Sequence, residues 1–121
     1  MALKPKIQPA HYNSLVVVAE PKARRTIAAK YALPSGAIPV LISVAVMADL
    51  RGTQRVSAVY AREIARDELV RQYIAVLCKA GLLQRYTLGR LRRVRLTLEG
   101  TGVVAAFHRE IRAGLRELLT D

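Results

Sequence analysis

The 121-residue sequence contains a single cysteine, Cys78, and few aromatic residues. One thiol cannot form a disulfide within the chain, so the sequence does not indicate an oxidising compartment. Aromatic side chains account for 5% of the residues, and the five tyrosines are scattered along the chain. Proteins that bind single-stranded RNA stack bases on clustered aromatic rings, so this composition argues against an RNA partner.

Long hydrophobic runs are also missing. The most apolar stretch, Ala37 to Ala48, spans about twelve residues, fewer than the roughly 20 that a transmembrane helix needs. Pro5, Lys6 and Pro9 interrupt the N-terminal segment, which therefore lacks the apolar core of a signal peptide. These absences predict a cytoplasmic protein with no membrane partner.

Residues that commonly build catalytic or metal sites are sparse. His11 and His108 are isolated, and Glu63, Asp67 and Glu68 have no histidine or cysteine nearby in the sequence, so helix capping and ion pairing explain them. We find no glycine-rich phosphate loop and no Ser/His/Asp or Cys/His set in a convincing context. We therefore expect no enzyme activity, no cofactor and no metal ion.

Acidic residues are scarce relative to basic ones. The chain has nine Asp and Glu residues against 20 Lys and Arg residues, which leaves a formal net charge of +11. Most of the cations are arginines, whose planar guanidinium group matches phosphate and the guanine edge better than an ammonium group does. Such an excess attracts polyanions, nucleic acid first and an anionic membrane second. On charge alone, a ribosome-associated protein or a merely soluble basic protein remains an alternative.

The length and the composition predict one folded domain with short flanking parts. With 52% apolar and 24% charged residues, the chain is not a disordered polyelectrolyte. It is long enough to bury a core without a disulfide or a metal ion. We divide it into an N-terminal arm (residues 1–19), a central domain (20–98) and a C-terminal helix (99–121).

Two helices are predicted in the first part of the chain. Leu15–Ala19 is too short to classify, and is either a strand or the opening of a helix. Glu20-Pro21 predicts the start of a helix over Lys22–Ala32, since proline is tolerated in a first turn. The run Ala37–Leu50 is apolar nearly all round, which predicts a central helix closed by Arg51-Gly52-Thr53.

Two further short helices follow. Ser57 is a candidate N-cap for a helix over Ala58–Ala65. Asp67–Ala80 is predicted to form the second helix, with Gly81 as its C-terminal stop. Helical spacing divides the second helix into a core face and a solvent face. The core face has Val70, Ile74 and Leu77, and the solvent face has Arg71, Gln72, Ala75 and Lys79. Two short helices joined by a tight turn are typical of a helix-turn-helix.

A hairpin is predicted after the paired helices. Leu82–Leu88 and Arg92–Leu96 have strand patterns, and Gly89 lies between them. In the return strand, Val94 and Leu96 are expected to face inward. Arg93 and Arg95 are expected to point outward.

The final helix, Glu99 to Leu119, is predicted to be capped by Thr97. Its apolar residues are spaced by three and four, which makes one continuous seam. The seam residues are Val104, Phe107, Ile111, Leu115 and Leu118. We expect the seam to be a homodimer interface, because the short fold before it has little left to cover it. The alternative is that the helix folds back on its own domain.

This order of elements, mainly α with a small β-hairpin wing, is a winged helix-turn-helix. The sequence resembles the multiple-antibiotic-resistance regulators, the MarR-type family of transcriptional regulators, from about Leu33 to Val104. The recognition helix of that family ends in a Lys-x-Gly-Leu-like turn, here Lys79-Ala80-Gly81-Leu82. Its wing leads into a Leu-Thr-x-x-Gly turn, here Leu96-Thr97-Leu98-Glu99-Gly100. The resemblance implies a double-stranded DNA partner and a recognition helix in the major groove.

The candidate DNA-binding residues lie in the paired helices and the wing. The set is Arg55, Ser57, Arg66, Arg71, Gln72, Lys79, Arg85, Arg90, Arg92, Arg93 and Arg95. Arg71 suits bidentate contact with guanine and Gln72 with adenine, although a solvated helix face can also contain both. Arg90 and Arg92 suit the backbone or a narrow minor groove. The alternative for the wing is a merely basic hairpin.

Two hypotheses concern other roles of the molecule. Cys78 lies beside Lys79, and a lowered thiol pKa would permit redox sensing, although inert packing is the commoner role of a lone helical cysteine. The predicted function is transcriptional regulation by DNA binding, with any small-molecule effector unknown. The alternatives are an accessory factor of plasmid or transposon maintenance, and a protein-interaction or assembly subunit built on the same fold.

Overall fold

The computed structural model describes residues 9–48, 53–56, 59 and 65–119. Within them lie four helices: α1 (Pro9–Lys30), α2 (Ala37–Met47), α3 (Asp67–Lys79) and α4 (Leu98–Leu119). The strands are β1 (Thr53–Arg55), β2 (Leu83–Leu88) and β3 (Leu91–Leu96). The predicted fold class, a mainly helical winged helix-turn-helix, is confirmed. No helix in the described part is both long and apolar enough to cross a bilayer.

Helix α1 is much longer than the sequence pattern indicated. It runs unbroken from Pro9 to Lys30 with Pro21 inside it, so the predicted start at Glu20-Pro21 is wrong. Residues 9–19 of the predicted arm are helical, and residues 1–8 lie outside the described part. An interior proline weakens a helix because it removes a backbone hydrogen bond. The helix nevertheless continues through Pro21, and it packs against α4.

The contact between α1 and α4 is close because small residues meet there. A Cβ added to Gly114 would lie 3.3 Å from the Cβ of Ala19. Nearby, Lys22 Nζ lies 3.5 Å from Glu117 Oε2 across the two helices, and both of these side chains are largely exposed. Ala19, Ala23 and Ile27 of α1 are buried.

The dimer interface on α4 was predicted because the fold before it was expected to leave the apolar seam uncovered. The contact with α1 shows that this reason is wrong. Phe107 and Leu115 are 5% and 6% exposed in the single chain, so they are covered without a partner. Val104 and Ile111 are half-buried and pack against the same core. Of the predicted interface residues, only Leu118 remains open, with 41% of its surface exposed. The C-terminal helix therefore folds back on its own domain over most of the seam.

Helix α2 forms the centre of the molecule, as predicted from its apolar sequence. Its buried residues are Ala37, Ile38, Val40, Leu41, Ser43 and Val44. Pro39 lies in the first turn, where its missing N–H costs nothing. The helix ends at Met47, before the predicted Leu50, because Ala48 takes an extended conformation. Leu50, Arg51 and Gly52 lie outside the described part.

A third strand joins the predicted hairpin. β1 pairs antiparallel with β3, so the sheet order is β1-β3-β2 and β3 is the central strand. Thr53 was predicted in a closing turn instead, because a strand of three residues shows no period. β2 and β3 pair one to one, with Leu83 opposite Leu96 at one end and Leu88 opposite Leu91 at the turn. This pairing confirms the predicted hairpin.

Helix α3 confirms the predicted second helix of the pair. Val70, Ile74 and Leu77 are at most 1% exposed. The helix stops before Gly81, whose φ of +81° is a left-handed conformation that suits glycine. The preceding helix predicted over Ala58–Ala65, with its Ser57 cap, lies largely outside the described residues.

The end of α3, the start of β2 and the start of α4 meet at one point. We call this point the junction and define it by Gly81, Leu82, Thr97 and Gly100. Thr97 Oγ1 donates a hydrogen bond to the Gly81 carbonyl (2.5 Å), and the Thr97 N–H donates to the Leu82 carbonyl (3.1 Å). The Gly100 N–H donates to Thr97 Oγ1 (3.0 Å), which confirms Thr97 as the cap of α4. A Cβ on Gly100 would collide with the Leu82 carbonyl oxygen.

Candidate nucleic-acid interface

The outer face of α3 is polar and open to solvent. Arg71, Gln72, Ala75 and Lys79 are all exposed, on the side opposite the buried core residues of the helix, as predicted. Helical periodicity produces this division, because residues three and four apart share one face. Arg71 and Gln72 lie one turn from the N-terminus of α3, and both are exposed.

The N-terminus of α3 has a mixed charge. Arg66 occupies the N-cap position in an extended conformation, without a side-chain cap hydrogen bond. Asp67 and Glu68 follow in the first turn, where carboxylates stabilise the positive end of the helix dipole. The predicted phosphate contact at Arg66 therefore lies next to two exposed acids, whereas Arg71 and Gln72 lie one turn further on.

The wing, which we define as the β2–β3 hairpin from Leu83 to Leu96, turns at Gly89 and Arg90. Gly89 has a φ of +65°, as the first central residue of a tight hairpin turn requires. Arg90 is exposed at the tip. Leu88 and Leu91 pair across the turn and are 38% and 39% exposed. The tip therefore presents one arginine between two leucines.

Two arginines share the inner face of the wing. Strand alternation and the register place Arg85 and Arg92 on the face that contains the buried Val94, with Thr87 paired to Arg92. Arg85, Thr87 and Arg92 are nevertheless exposed, because this face extends beyond the core toward the wing tip. Both guanidinium groups therefore leave the sheet on the side of α3.

Arg95 lies on the opposite, outer face and is held by two neighbours. Its Nε donates a hydrogen bond to Gln84 Oε1 (2.9 Å). Its guanidinium carbon lies 5.4 Å from the centre of the Tyr86 ring, within reach of a cation–π interaction. The predicted outward orientation of Arg95 is confirmed.

Arg93 differs from its predicted environment. The prediction has it exposed beside Arg95, but its side chain is only 8% exposed. β3 is the central strand, so Arg93 is flanked by Arg55 on β1 and by Tyr86 on β2. The hairpin predicted from the sequence has no β1, so the prediction that Arg93 points outward did not include this covering strand. Arg93 is therefore a covered residue of the sheet.

A cavity of about 460 Å³ opens between α3 and the wing. We call it the arginine cavity, because four of its lining residues are arginines. The described lining consists of Val56, Arg71, Ile74, Arg85, Tyr86, Thr87, Arg92 and Arg93. The predicted recognition helix and the predicted wing therefore contribute to one shared concave surface.

The other predicted residues that the structure describes do not line this cavity. Arg55 is exposed on β1, Lys79 is exposed in the last turn of α3, and Arg90 is at the wing tip. Ser57 falls outside the described residues. Tyr86 and Thr87 line the cavity and were not predicted. Alternation along β2 places Thr87 on the face of Arg85, but only the position of α3 shows that this face is concave.

The pKa of the Cys78 thiol is raised, whereas a redox-active thiol needs a lowered pKa. It is half-buried near the end of α3, and burial raises the pKa of its thiol. The nearby Arg85 guanidinium lowers that pKa, but the effect of burial is larger. Since the reactive form of cysteine is the thiolate, a raised pKa favours the packing role over redox sensing.

Comparisons with known proteins identify the fold. No protein-family model and no curated protein matches the sequence. Among solved structures, a mutant of S. aureus MepR bound to an oligodeoxyribonucleotide has a TM-score of 0.72 at 13% identity, covering 96% of this chain and 85% of MepR. The oxidised form of MarR from E. coli gives 0.68 at 14% identity, with 94% and 81% covered.

Reduced AbfR bound to DNA gives a TM-score of 0.62 at 14% identity, with 86% of this chain and 71% of AbfR covered. The AbfR protein is from Staphylococcus epidermidis. The described chain therefore has the winged-helix fold of the MarR-type regulators, as the resemblance of the sequence implied.

Proposed function

We propose that this protein is a DNA-binding winged-helix regulator of transcription. The observation that supports it most directly is the arginine cavity, because Arg71 of α3 and Arg85 and Arg92 of the wing line one concave surface. In a winged helix, the recognition helix enters the major groove while the wing lies over the flanking backbone. The cavity would then straddle the sugar–phosphate strand that separates the two grooves.

The exposed residues of α3 and the wing suit different parts of the duplex. We propose that Arg71 donates two hydrogen bonds to guanine and that Gln72 pairs with adenine. Arg90, at the tip, suits the minor groove, and Arg85 and Arg92 suit phosphates. The fold similarity to MepR and AbfR, both solved with DNA, supports this docking.

We also propose that the protein acts as a homodimer. We place it in the cytoplasm, together with the DNA that it would bind. A two-fold dimer would present two copies of α3 about one DNA turn apart, matching a palindromic site. The exposed apolar residues that remain for such an interface include Leu118 and Leu119, at 41% and 43% exposure. Nothing in the described site favours an enzyme activity, and we propose none.

The test is fluorescence anisotropy of the full chain with a random duplex of about 30 base pairs across a salt series. Binding is expected to weaken steeply with salt, because affinity comes mainly from phosphate neutralisation. Arg90→Ala and Arg92→Ala should weaken all duplexes about equally and lower the salt slope by about 1 each. Arg71→Ala should instead relax the preference at one base position.

Arg109→Ala is the matched control, because it removes the same charge from an exposed position on α4. It should leave both affinity and salt slope nearly unchanged. No binding at low salt would contradict the proposal and would favour the assembly role, in which the wing arginines bind an acidic protein. Equal losses in all four variants would indicate a diffuse charge effect without the proposed docking.

A further inference from the structure

The end of the wing is apolar as well as basic. Leu88 and Leu91 are paired across the turn and are 38% and 39% exposed. Leu83 and Val94, nearer the base of the same hairpin, are only 2% and 0% exposed. Packing in the core therefore explains the apolar residues at the base of the wing, but it does not explain the two leucines at the end.

The two exposed leucines form one apolar surface. Directly opposed residues of an antiparallel pair lie on the same face of the sheet, with their Cβ atoms about 5 Å apart. Single exposed leucines scattered over a protein surface are common and need no explanation. Leu88 and Leu91 differ from these because they are adjacent to each other and flank the exposed Arg90. We call the segment from Leu88 to Leu91 the leucine tip.

The leucine tip is also narrow. Only Gly89 and Arg90 connect the two strands, and Gly89 adds no side chain to the end of the hairpin. The minor groove of undistorted B-DNA is about 6 Å wide, which is too narrow for a helix or a whole two-stranded ribbon. The end of a two-residue turn is the part of this protein that suits such a groove.

The charge around the leucine tip favours DNA as its partner. The wing contains five arginines and no acidic residue. In the docking proposed above, α3 lies in the major groove and the wing reaches the flanking minor groove. The negative potential of that groove attracts Arg90, and the adjacent leucines enter with it. Proteins that bind the minor groove often insert apolar side chains, leucine among them, between base steps.

An anionic membrane is the other surface that attracts a basic and apolar segment. Proteins that bind at a membrane surface typically use an amphipathic helix, whose apolar face is broad and extends over many residues. The leucine tip offers two leucines at the end of a hairpin. This small apolar surface matches a gap between two base pairs better than it matches a lipid surface.

We propose that Leu88 and Leu91 enter the minor groove beside Arg90 as an apolar wedge, which partly unstacks one base step and bends the duplex. The proposal rests on the DNA-binding function proposed above and adds a deformation of the DNA to it. Pyrimidine–purine steps such as TA unstack easily, whereas A-tracts are stiff. The wedge therefore selects deformable steps at positions where no side chain reads a base.

Two duplexes of about 30 base pairs distinguish the wedge from an arginine that acts alone. One is an alternating TA sequence and the other is an A-tract, with the same G·C pairs at both ends. Their minor grooves expose the same acceptors, N3 of adenine and O2 of thymine. An inserted arginine favours the narrow groove of the A-tract, whereas a wedge favours the TA steps.

Fluorescence anisotropy of the full chain measures both affinities at one salt concentration. In a second measurement, 2-aminopurine replaces one adenine of the TA duplex, and its fluorescence rises when the base unstacks. The natural sequence is expected to produce this rise on binding. Bound DNA without any rise would overturn the wedge, whatever the variants do.

The test variant replaces both leucines, Leu88→Ser together with Leu91→Ser. It should lower the ratio of the TA affinity to the A-tract affinity by about tenfold and abolish the rise in fluorescence. Any preference of α3 cancels, because α3 is the same in the natural sequence and the variant. Leu88→Met together with Leu91→Met should keep both properties, because methionine is also an apolar wedge residue.

Leu98→Ser is the matched control, because it removes a leucine that is 85% exposed at the start of α4. It should leave the affinity ratio and the fluorescence unchanged. All of these variants should have the far-ultraviolet circular dichroism spectrum of the natural sequence, since each replaced side chain is exposed.

The wedge and the regulator fail in different ways. DNA binding with an unchanged affinity ratio in the serine variant, or with an equal loss on both duplexes, leaves the regulator and overturns the wedge. Absence of binding to both duplexes at low salt overturns the regulator, and the wedge with it. Leucine-dependent binding to phosphatidylserine vesicles, without unstacking of DNA, assigns the leucine tip to a membrane and also overturns the wedge.

Discussion

The backbone around Gly100 leaves no room for a side chain, because the Leu82 carbonyl oxygen lies where a Cβ would be. Gly100→Ala is therefore expected to lower the free energy of unfolding by about 1–3 kcal/mol, the usual cost of overpacking a closely packed site. A urea titration followed by circular dichroism measures the loss.

Gly102, two residues along the same helix, provides the control. A Cβ there would have no neighbour within 4 Å. Gly102→Ala should raise the free energy of unfolding by up to about 1 kcal/mol, because alanine is the better helix former. If Gly100→Ala raised the free energy of unfolding as Gly102→Ala is expected to do, the close approach at the junction would be absent in solution.

The thiol of Cys78 is expected to react slowly at neutral pH. Burial raises its pKa, so less thiolate is present than for a free cysteine, and the alkylation rate should rise only at higher pH. Arg85→Gln should move the rate profile to still higher pH, because the Arg85 cation lowers the pKa. The pH dependence of iodoacetamide labelling measures both effects. A profile that moves to lower pH in Arg85→Gln would contradict the stated influence of Arg85.

At the level of single residues, the sequence predicts which face of a helix or strand a side chain lies on. It predicts less well whether other elements cover that face. The helical period places Arg71 and Gln72 on the open face of α3, and alternation places Arg95 on the outer face of the wing. Whether an outward residue is covered depends on its neighbours in space. Arg93 is covered because β1 pairs with β3, and three residues with no period contain no signal for that pairing.

At the level of elements, Pro21 is the residue that misled the prediction of α1. In the structure it lies inside a helix of 22 residues, where it costs a backbone hydrogen bond. Pro21→Ala should therefore raise the free energy of unfolding by about 1–3 kcal/mol. Thermal unfolding followed at 222 nm measures this change.

Pro39 serves as the control for this prediction. It lies in the first turn of α2, where its N–H would have no helical partner, so Pro39→Ala should change stability by much less. Equal effects of the two substitutions would indicate that α1 begins near Pro21 in solution.

The elements that were predictable have strong local signals. α2 is apolar nearly all round, α3 has a clean helical period with Gly81 behind it, and the wing has a glycine turn between two strands. α1 has no such signal. It packs against α4, where Gly114 meets Ala19 from 95 positions further along the chain. Contacts of this range are absent from any local pattern.

At the level of the whole molecule, the buried residues of the α4 seam stabilise the fold of the single chain, and the exposed Leu118 is left for a dimer contact. Leu118→Glu is expected to turn a dimer into a monomer while leaving the fold intact, since the side chain is 41% exposed. Light scattering coupled to size-exclusion chromatography measures the mass. Leu98→Glu, at the other end of α4, is the control. Its residue is 85% exposed, and the mass should not change.

Phe107→Ala tests the other half of this assignment. Its side chain lies in the core of the single chain, so the loss should be about 3–5 kcal/mol of folding free energy. A variant that remains as stable as the natural sequence but becomes monomeric would return the seam to the dimer interface.

The junction also has an evolutionary consequence. Structures that share only 13–14% of their residues with this chain have the same fold, so the fold tolerates different residues at most positions. Drift is least tolerated where a substitution must displace backbone, and at Gly100 any side chain would do so. The Thr97 hydroxyl group connects the turn after α3 at Gly81 with the first turn of α4 at Gly100. Among distant homologues, we therefore expect this threonine and this glycine to persist after the arginines of the wing have diverged with the sites that they bind.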